Sequence, residues 1–121
     1  MERDNGLNIR IEYSHSIEVA LDVMCGKWKG IILCELRDQT LRFGELKEII
    51  PKITQKVLTE QLRELEADKL INRVSYNQIP PKVEYSLTDY GKELQPGLKM
   101  LEEWGDNHIN MVAESKKEQN I

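Results

Sequence analysis

At the end of the stretch KITQKVLTEQLRELEADKLI, Lys52 to Ile71, the spacing of apolar residues changes from helical to alternating. Before the change, Leu58, Leu62 and Leu65 recur on one helical face. At about 100° per residue, Lys56, Glu60 and Arg63 lie roughly opposite them, flanked by Thr59. Thr54 is a natural N-cap, because its hydroxyl can accept from a free amide of the first turn. After the change, NRVSYN sets Val74 and Tyr76 on one side against Arg73, Ser75 and Asn77, and VEYSL sets Val83, Tyr85 and Leu87 against Glu84 and Ser86. Between the two runs lies NQIPPK, a loop stiffened by Pro80 and Pro81. Prolines suit a hairpin tip, where no ladder hydrogen bond is lost. A helix feeding directly into a two-stranded hairpin is therefore expected.

The rest of the chain supplies more helices. SIEVALDVMCGKWKGIILCELRDQ reads as two of them, broken near Gly26. Ser16 is expected to cap the first, which presents Ile17, Ala20, Leu21 and Met24 on one side. The second carries Trp28, Ile31, Ile32, Cys34 and Leu36. LRF is long enough only for a brief strand, and GELKEII forms a short helix stopped by Pro51, which cannot continue it. Thr88 and Asp89 open a last helical region, interrupted near Pro96 and Gly97. Its residues Leu94, Leu98, Leu101, Trp104, His108 and Met111 form a narrow seam of nearly heptad spacing. Such a seam either folds back on its own domain or meets a second copy. The homodimer, the commonest oligomer, is the expectation, with Ile17, Leu21, Leu98, Leu101, Trp104 and Met111 in its interface.

These elements predict a mainly helical α+β domain over residues 15–113, with an N-terminal tail, 1–14, and a C-terminal tail, 114–121. A chain of 121 residues is long enough to bury one core. It lacks the roughly 18 consecutive apolar residues of a membrane helix. Its first residues have no apolar run of the signal-peptide kind, so a cytoplasmic protein with no membrane partner is expected.

Cys25 and Cys34 match no paired-cysteine metal or redox spacing, and in a reducing compartment they read as small hydrophobes. Cys25, beside Lys27 near a helix start, keeps the possibility of a reactive thiol open. No catalytic order of Ser, His and Asp, no phosphate loop and no metal-ligand cluster is present, which argues against an enzyme and against a cofactor. The net charge of −4 conceals an uneven distribution. Residues 1–41 carry −2, residues 42–82 carry +2 and residues 83–121 carry −4. Screening limits the reach of the acidic end, so the basic middle third can still meet phosphate.

Several helices followed by a hairpin with a long stiff loop is the element order of a winged helix-turn-helix. There the helix before the hairpin enters the major groove and the hairpin loop, the wing, touches the backbone or minor groove. That geometry accounts for the charge gradient along 52–71. Thr54, Gln55, Lys56 and Thr59 stand at the front, and Glu64, Glu66 and Asp68 are held to the rear. Glu60 is the exception on the groove side. An ordinary solvated helix face, or a winged helix that binds only protein, would show the same apolar pattern.

The stretches IEVALDVMCGKWKGIIL, LRFGELKEIIPKITQKVLTEQLRELEADKLI, PPKVEYSLTDYGKEL and LEEWGDNH, spanning Ser16 to His108, resemble the HxlR family of bacterial transcriptional regulators. These are winged-helix proteins akin to the MarR group. The resemblance implies a homodimeric repressor or activator of transcription that reads a palindromic site on double-stranded DNA, without enzymatic activity. It assigns Thr54, Gln55, Lys56, Thr59 and Arg63 to the groove, with Gln55 suited to adenine and Arg63 to guanine or phosphate. Arg42 and Lys82 become phosphate or minor-groove contacts, and Lys27 and Lys29 weaker phosphate contacts. Trp28, Phe43, Leu46, Leu58, Leu62, Leu65 and Tyr85 are assigned to the core.

The family usually opens with Cys-Pro-Val-Glu, and in several members that cysteine senses oxidants or electrophiles. This chain has HSIEV, so His15 stands at the cysteine position and Ser16 at the proline. Sensing through that position is therefore not expected. Cys25 is left as the candidate sensor, and the sequence names no small-molecule effector.

Overall fold

The computed structural model describes residues 15–24 and 26–119. Cys25 and the 1–14 tail lie outside the described residues. Two short helices come first, α1 (Ser16–Met24) and α2 (Lys29–Glu35). A brief strand, β1 (Leu41–Arg42), runs straight into α3 (Phe43–Ile49). Then come α4 (Gln55–Ala67), the hairpin β2 (Ile71–Tyr76) and β3 (Lys82–Leu87), a single turn α5 (Asp89–Lys92), and the long α6 (Gln95–Gln119). The architecture is a winged helix-turn-helix with a long C-terminal helix.

The hairpin forms as the alternation predicts, but β1 makes it a three-stranded antiparallel sheet in the order β1-β3-β2. Leu41 pairs with Tyr85, and Arg42 with Glu84. On the other side Arg73 pairs with Tyr85, Ser75 with Val83 and Ile71 with Leu87. Directly paired residues share a face, so Arg73 and Ser75 lie on the inner face with Tyr85 and Val83. Val74 and Tyr76, set opposite them by the alternation, are exposed on the outer face beside Glu84 and Lys82.

The core gathers Ile32, Leu33 and Leu36 of α2, Leu46 of α3, Leu58, Leu62 and Leu65 of α4, and Tyr85 and Leu87 of β3. Trp28 and Phe43 pack against it half-buried. Leu33 belongs to the core where Ile31, placed on the apolar face by the sequence, is exposed. The buried positions 29, 32, 33 and 36 follow helical spacing, and they bring Lys29 onto the inner face of α2.

Helix ends follow local chemistry. Thr54 caps α4 by accepting from the Val57 amide at 3.1 Å. At the other end Lys69 takes φ +64°, the Leu70 amide donates to the Leu65 carbonyl and the Lys69 amide to that of Glu66. That is a Schellman closure, with Leu65 and Leu70 both buried beneath it. Thr88 caps α5 by accepting from the Gly91 amide, and its hydroxyl donates to the Lys69 carbonyl at 2.7 Å. Ser16 already lies within α1, so the cap position falls one residue earlier, at His15. The last helical region breaks at residues 93–94, and Pro96 sits in the first turn of α6, where its missing N–H costs nothing. α6 continues to Gln119, so residues 114–119, set apart as a tail by the sequence, extend the same helix. No helix among the described residues is long and apolar enough to cross a membrane.

Candidate nucleic-acid interface

The N-terminal two turns of α4 project from the core. Their buried side is Leu58 and Leu62, and Gln55, Lys56, Thr59, Glu60 and Arg63 together line one shallow surface on the opposite side. The first turn holds no acid. Thr54 stands at the tip, its oxygen engaged by Val57 and its hydroxyl proton free to donate outward. The Thr59 hydroxyl donates back to the Gln55 carbonyl at 2.8 Å, which fixes its rotamer and leaves its oxygen to accept. The Gln55 amide, the Lys56 ammonium and the Arg63 guanidinium have no ion pair or side-chain hydrogen bond among the described residues. Glu60 likewise forms no ion pair with Lys56 or Arg63 there.

A second feature lies between α4 and the hairpin. Gln55, Thr59 and Arg63 form one wall of a cleft of about 510 Å³, and Arg73, Val83 and Tyr85 of the sheet form the other, with Phe43 and Glu66 beside them. Arg73 is the functional candidate that sequence reasoning missed. Alternation had set it apart from the Val74 face, and only the pairing of Arg73 with Tyr85 turns it toward α4. Two guanidinium groups from different elements therefore face one cleft.

Arg42 and Lys82 line another depression, where β1, the start of α3 and the loop end of the hairpin come together. The Arg42 amide donates to Glu45 at 2.8 Å, leaving the guanidinium exposed. Lys82 is more constrained: its ammonium lies 3.6 Å from Glu84 and 4.7 Å from the centre of the Tyr76 ring. Lys27 is exposed in the turn before α2, 4.9 Å from the centre of the Trp28 ring.

Lys29 requires a correction. The expected phosphate contact is only 5% exposed, and its ammonium is bound to Glu64 of α4 at 2.9 Å. A cation that is buried and ion-paired inside the domain is not available to DNA. Leu98 is corrected for a similar reason: at 7% exposed it belongs to the domain's own core rather than to an interface. The other expected interface residues, Ile17, Leu21, Leu101, Trp104 and Met111, are all exposed. Trp104 stacks on His108 with ring centres 4.9 Å apart. No cluster of three metal-ligating side chains occurs among the described residues.

Comparison with known proteins places these features in a family. Residues 23–113 match the HxlR-like helix-turn-helix family. The uncharacterized HTH-type transcriptional regulator YtcD of Bacillus subtilis (strain 168) is 57% identical over 101 residues, 84% of this chain and 80% of that protein. The crystal structure of ytcD superposes with a TM-score of 0.75 at 56% identity, covering 79% of this chain and 98% of that one. The redox regulator HypR in its reduced form gives a TM-score of 0.79 at 47% identity, covering 83% of this chain and 99% of that one. The shared function is regulation of transcription rather than catalysis. By matched sequence and by fold, the chain belongs to the HxlR-like helix-turn-helix family of transcriptional regulators.

Proposed function

We propose that the chain acts as a homodimer on a palindromic operator, with α4 of each copy in the major groove of one half-site, the half-sites about one helical turn apart. The observation that carries this reading is the exposed group of Gln55, Lys56 and Arg63, unpaired among the described residues, on a helix whose first turn is free of acid. Gln55 is suited to the paired donor and acceptor of adenine, and Arg63 to guanine or a phosphate. Thr54, Lys56 and Thr59 contact phosphates or base edges near the front of the helix. Arg42, Lys82 and Lys27 serve the backbone, and Arg73 joins them across the α4–hairpin cleft. Exposed Ile17, Leu21, Leu101, Trp104 and Met111 support assembly of two copies. Cys25 is the proposed sensor thiol.

Titration of the protein against a labelled fragment of its own upstream DNA, at several salt concentrations, tests the reading. Saturable binding is expected, with affinity falling steeply as salt rises. Arg63→Ala should weaken binding by roughly tenfold. Binding to other genomic fragments alone would move the targets elsewhere. Failure to bind any fragment at low salt would favour a winged helix that binds protein instead.

A further inference from the structure

Lys29 occupies a position that the spacing of α2 reserves for an apolar side chain, one turn before Ile32 and Leu33. Burying an ammonium is costly unless a partner compensates, and here the partner is Glu64 at 2.9 Å. Glu64 is half-exposed, on the flank of α4, one turn beyond Glu60 of the groove side. Gln61 also leans on it, at 3.5 Å. Leu58, Leu62 and Leu65 press α4 onto the core, but a row of leucines resists displacement better than rotation about the helix axis. A directional bond to the flank resists rotation. With side-chain ends about 5–6 Å from the axis, a turn of about 20° moves them by roughly 2 Å, enough to break a paired hydrogen bond to a base.

The other end of α2 is anchored as well. Arg37, two residues past the helix, holds Glu102 of α6 through two contacts, 2.8 and 3.3 Å. One short helix is thus ion-paired to α4 at its start and to the long C-terminal helix at its end.

We propose that Lys29 is a positioning residue for DNA binding: its buried ammonium, acting through Glu64, sets the rotation of α4 and so the direction in which Gln55 and Arg63 point. This rests on the DNA-binding reading above, and it assigns Lys29 no contact with DNA.

The sign of one substitution separates positioning from charge. Glu64→Ala removes an acid from the element that meets a polyanion, so simple electrostatics predicts tighter binding. Positioning predicts the reverse, a loss of about tenfold. Lys29→Met, of similar length, should weaken binding comparably. Both should leave the slope of log affinity against log salt at its wild-type value, because no phosphate contact is lost. Circular dichroism and melting establish that each variant is folded. Equal or tighter binding by Glu64→Ala overturns the proposal. So does a slope that drops by about 0.9 in Lys29→Met, the signature of one phosphate contact. Should Glu64→Ala, which leaves the Lys29 ammonium buried without its partner, not fold, Lys29→Met decides alone: weaker binding at the wild-type salt slope supports the proposal, and unchanged binding or a lower slope overturns it. Wild-type protein that binds no DNA at low salt would remove the parent reading, and is distinguishable because the variants are scored only relative to it.

Discussion

Lys27 and Lys29 flank one tryptophan in the motif Gly-Lys-Trp-Lys, yet one ends exposed against the Trp28 ring and the other buried against Glu64. Sequence spacing fixes which helix face each residue joins but not which long-range partner awaits it there. Thr54 was legible for the opposite reason: its capping partner, Val57, is three residues away. Arg37 and Glu102 are 65 residues apart, and nothing local connects them. The Arg37 guanidinium, by hydrogen bonding to Glu102, holds that carboxyl below its ordinary value of 4.5. Burial, with the Glu102 carboxylate beside it, pushes the Cys34 thiol above its ordinary 9.0, so at neutral pH it stays protonated. A carboxyl that titrates lower in the folded state leaves the unfolded chain holding more protons as acid is added. The stabilisation by Glu102 is therefore present above about pH 4.5 and is lost as pH falls through the folded-state value. Thermal melting of wild type and Glu102→Gln should differ at pH 7, and the gap should narrow as pH falls below 4.5 toward the lowered folded-state value. A gap that persists undiminished at pH 3 would show that the ion pair is not its source.

At the level of elements, periodicity placed the helices and the hairpin, because the core faces of α4 and β3 are continuous apolar rows. It placed the faces of β2 less well. Alternation divides a strand into two sides without saying which is inside, and the register with β3 decides. In β2 only Ile71 is buried, so the more apolar side, with Val74 and Tyr76, turns outward and Arg73 turns in. The junction that sets this register is the corner where α4, β2 and α5 converge. There the Leu70 carbonyl accepts from the Thr88 amide at 3.0 Å, and Gly91 lies so close that a Cβ would collide with that carbonyl. Neither partner can yield cheaply, since one is the backbone of the Schellman closure and the other the first turn of α5. Gly91→Ala is accordingly expected to destabilise the domain by about 2 kcal/mol or more. Urea denaturation monitored by circular dichroism reads it as a lower midpoint at an unchanged slope. A midpoint equal to that of wild type would mean that α5 shifts freely, and that the corner does not fix the hairpin.

Across the whole molecule, the near-heptad seam of α6 splits into two parts that its sequence does not distinguish. Leu98, near the start, is 7% exposed and closes the domain's core, whereas Leu101 and Trp104, within the next two turns, are 58% and 64% exposed. Further along, Ile109 and Met111 are also exposed, and the helix runs to Gln119 without covering them. A second copy presenting the same face would bury them in a symmetric contact. Substitutions along the seam should therefore separate stability from assembly. Leu98→Ala empties a packed site and is expected to cost about 2–5 kcal/mol of folding stability. Trp104→Glu leaves that core intact and places a charge on the shared face, so the fold should persist while the mass by sedimentation equilibrium falls from twice 14.1 kDa to 14.1 kDa. Two half-sites bound by linked copies share a high effective concentration, and unlinking them should weaken binding to a palindromic fragment by roughly 100-fold or more. Binding to a single half-site should change little, because the α4 surface is untouched. If Trp104→Glu kept the wild-type mass, assembly would have to run through another face, and Ile17 and Leu21 on α1 would be the next residues to change.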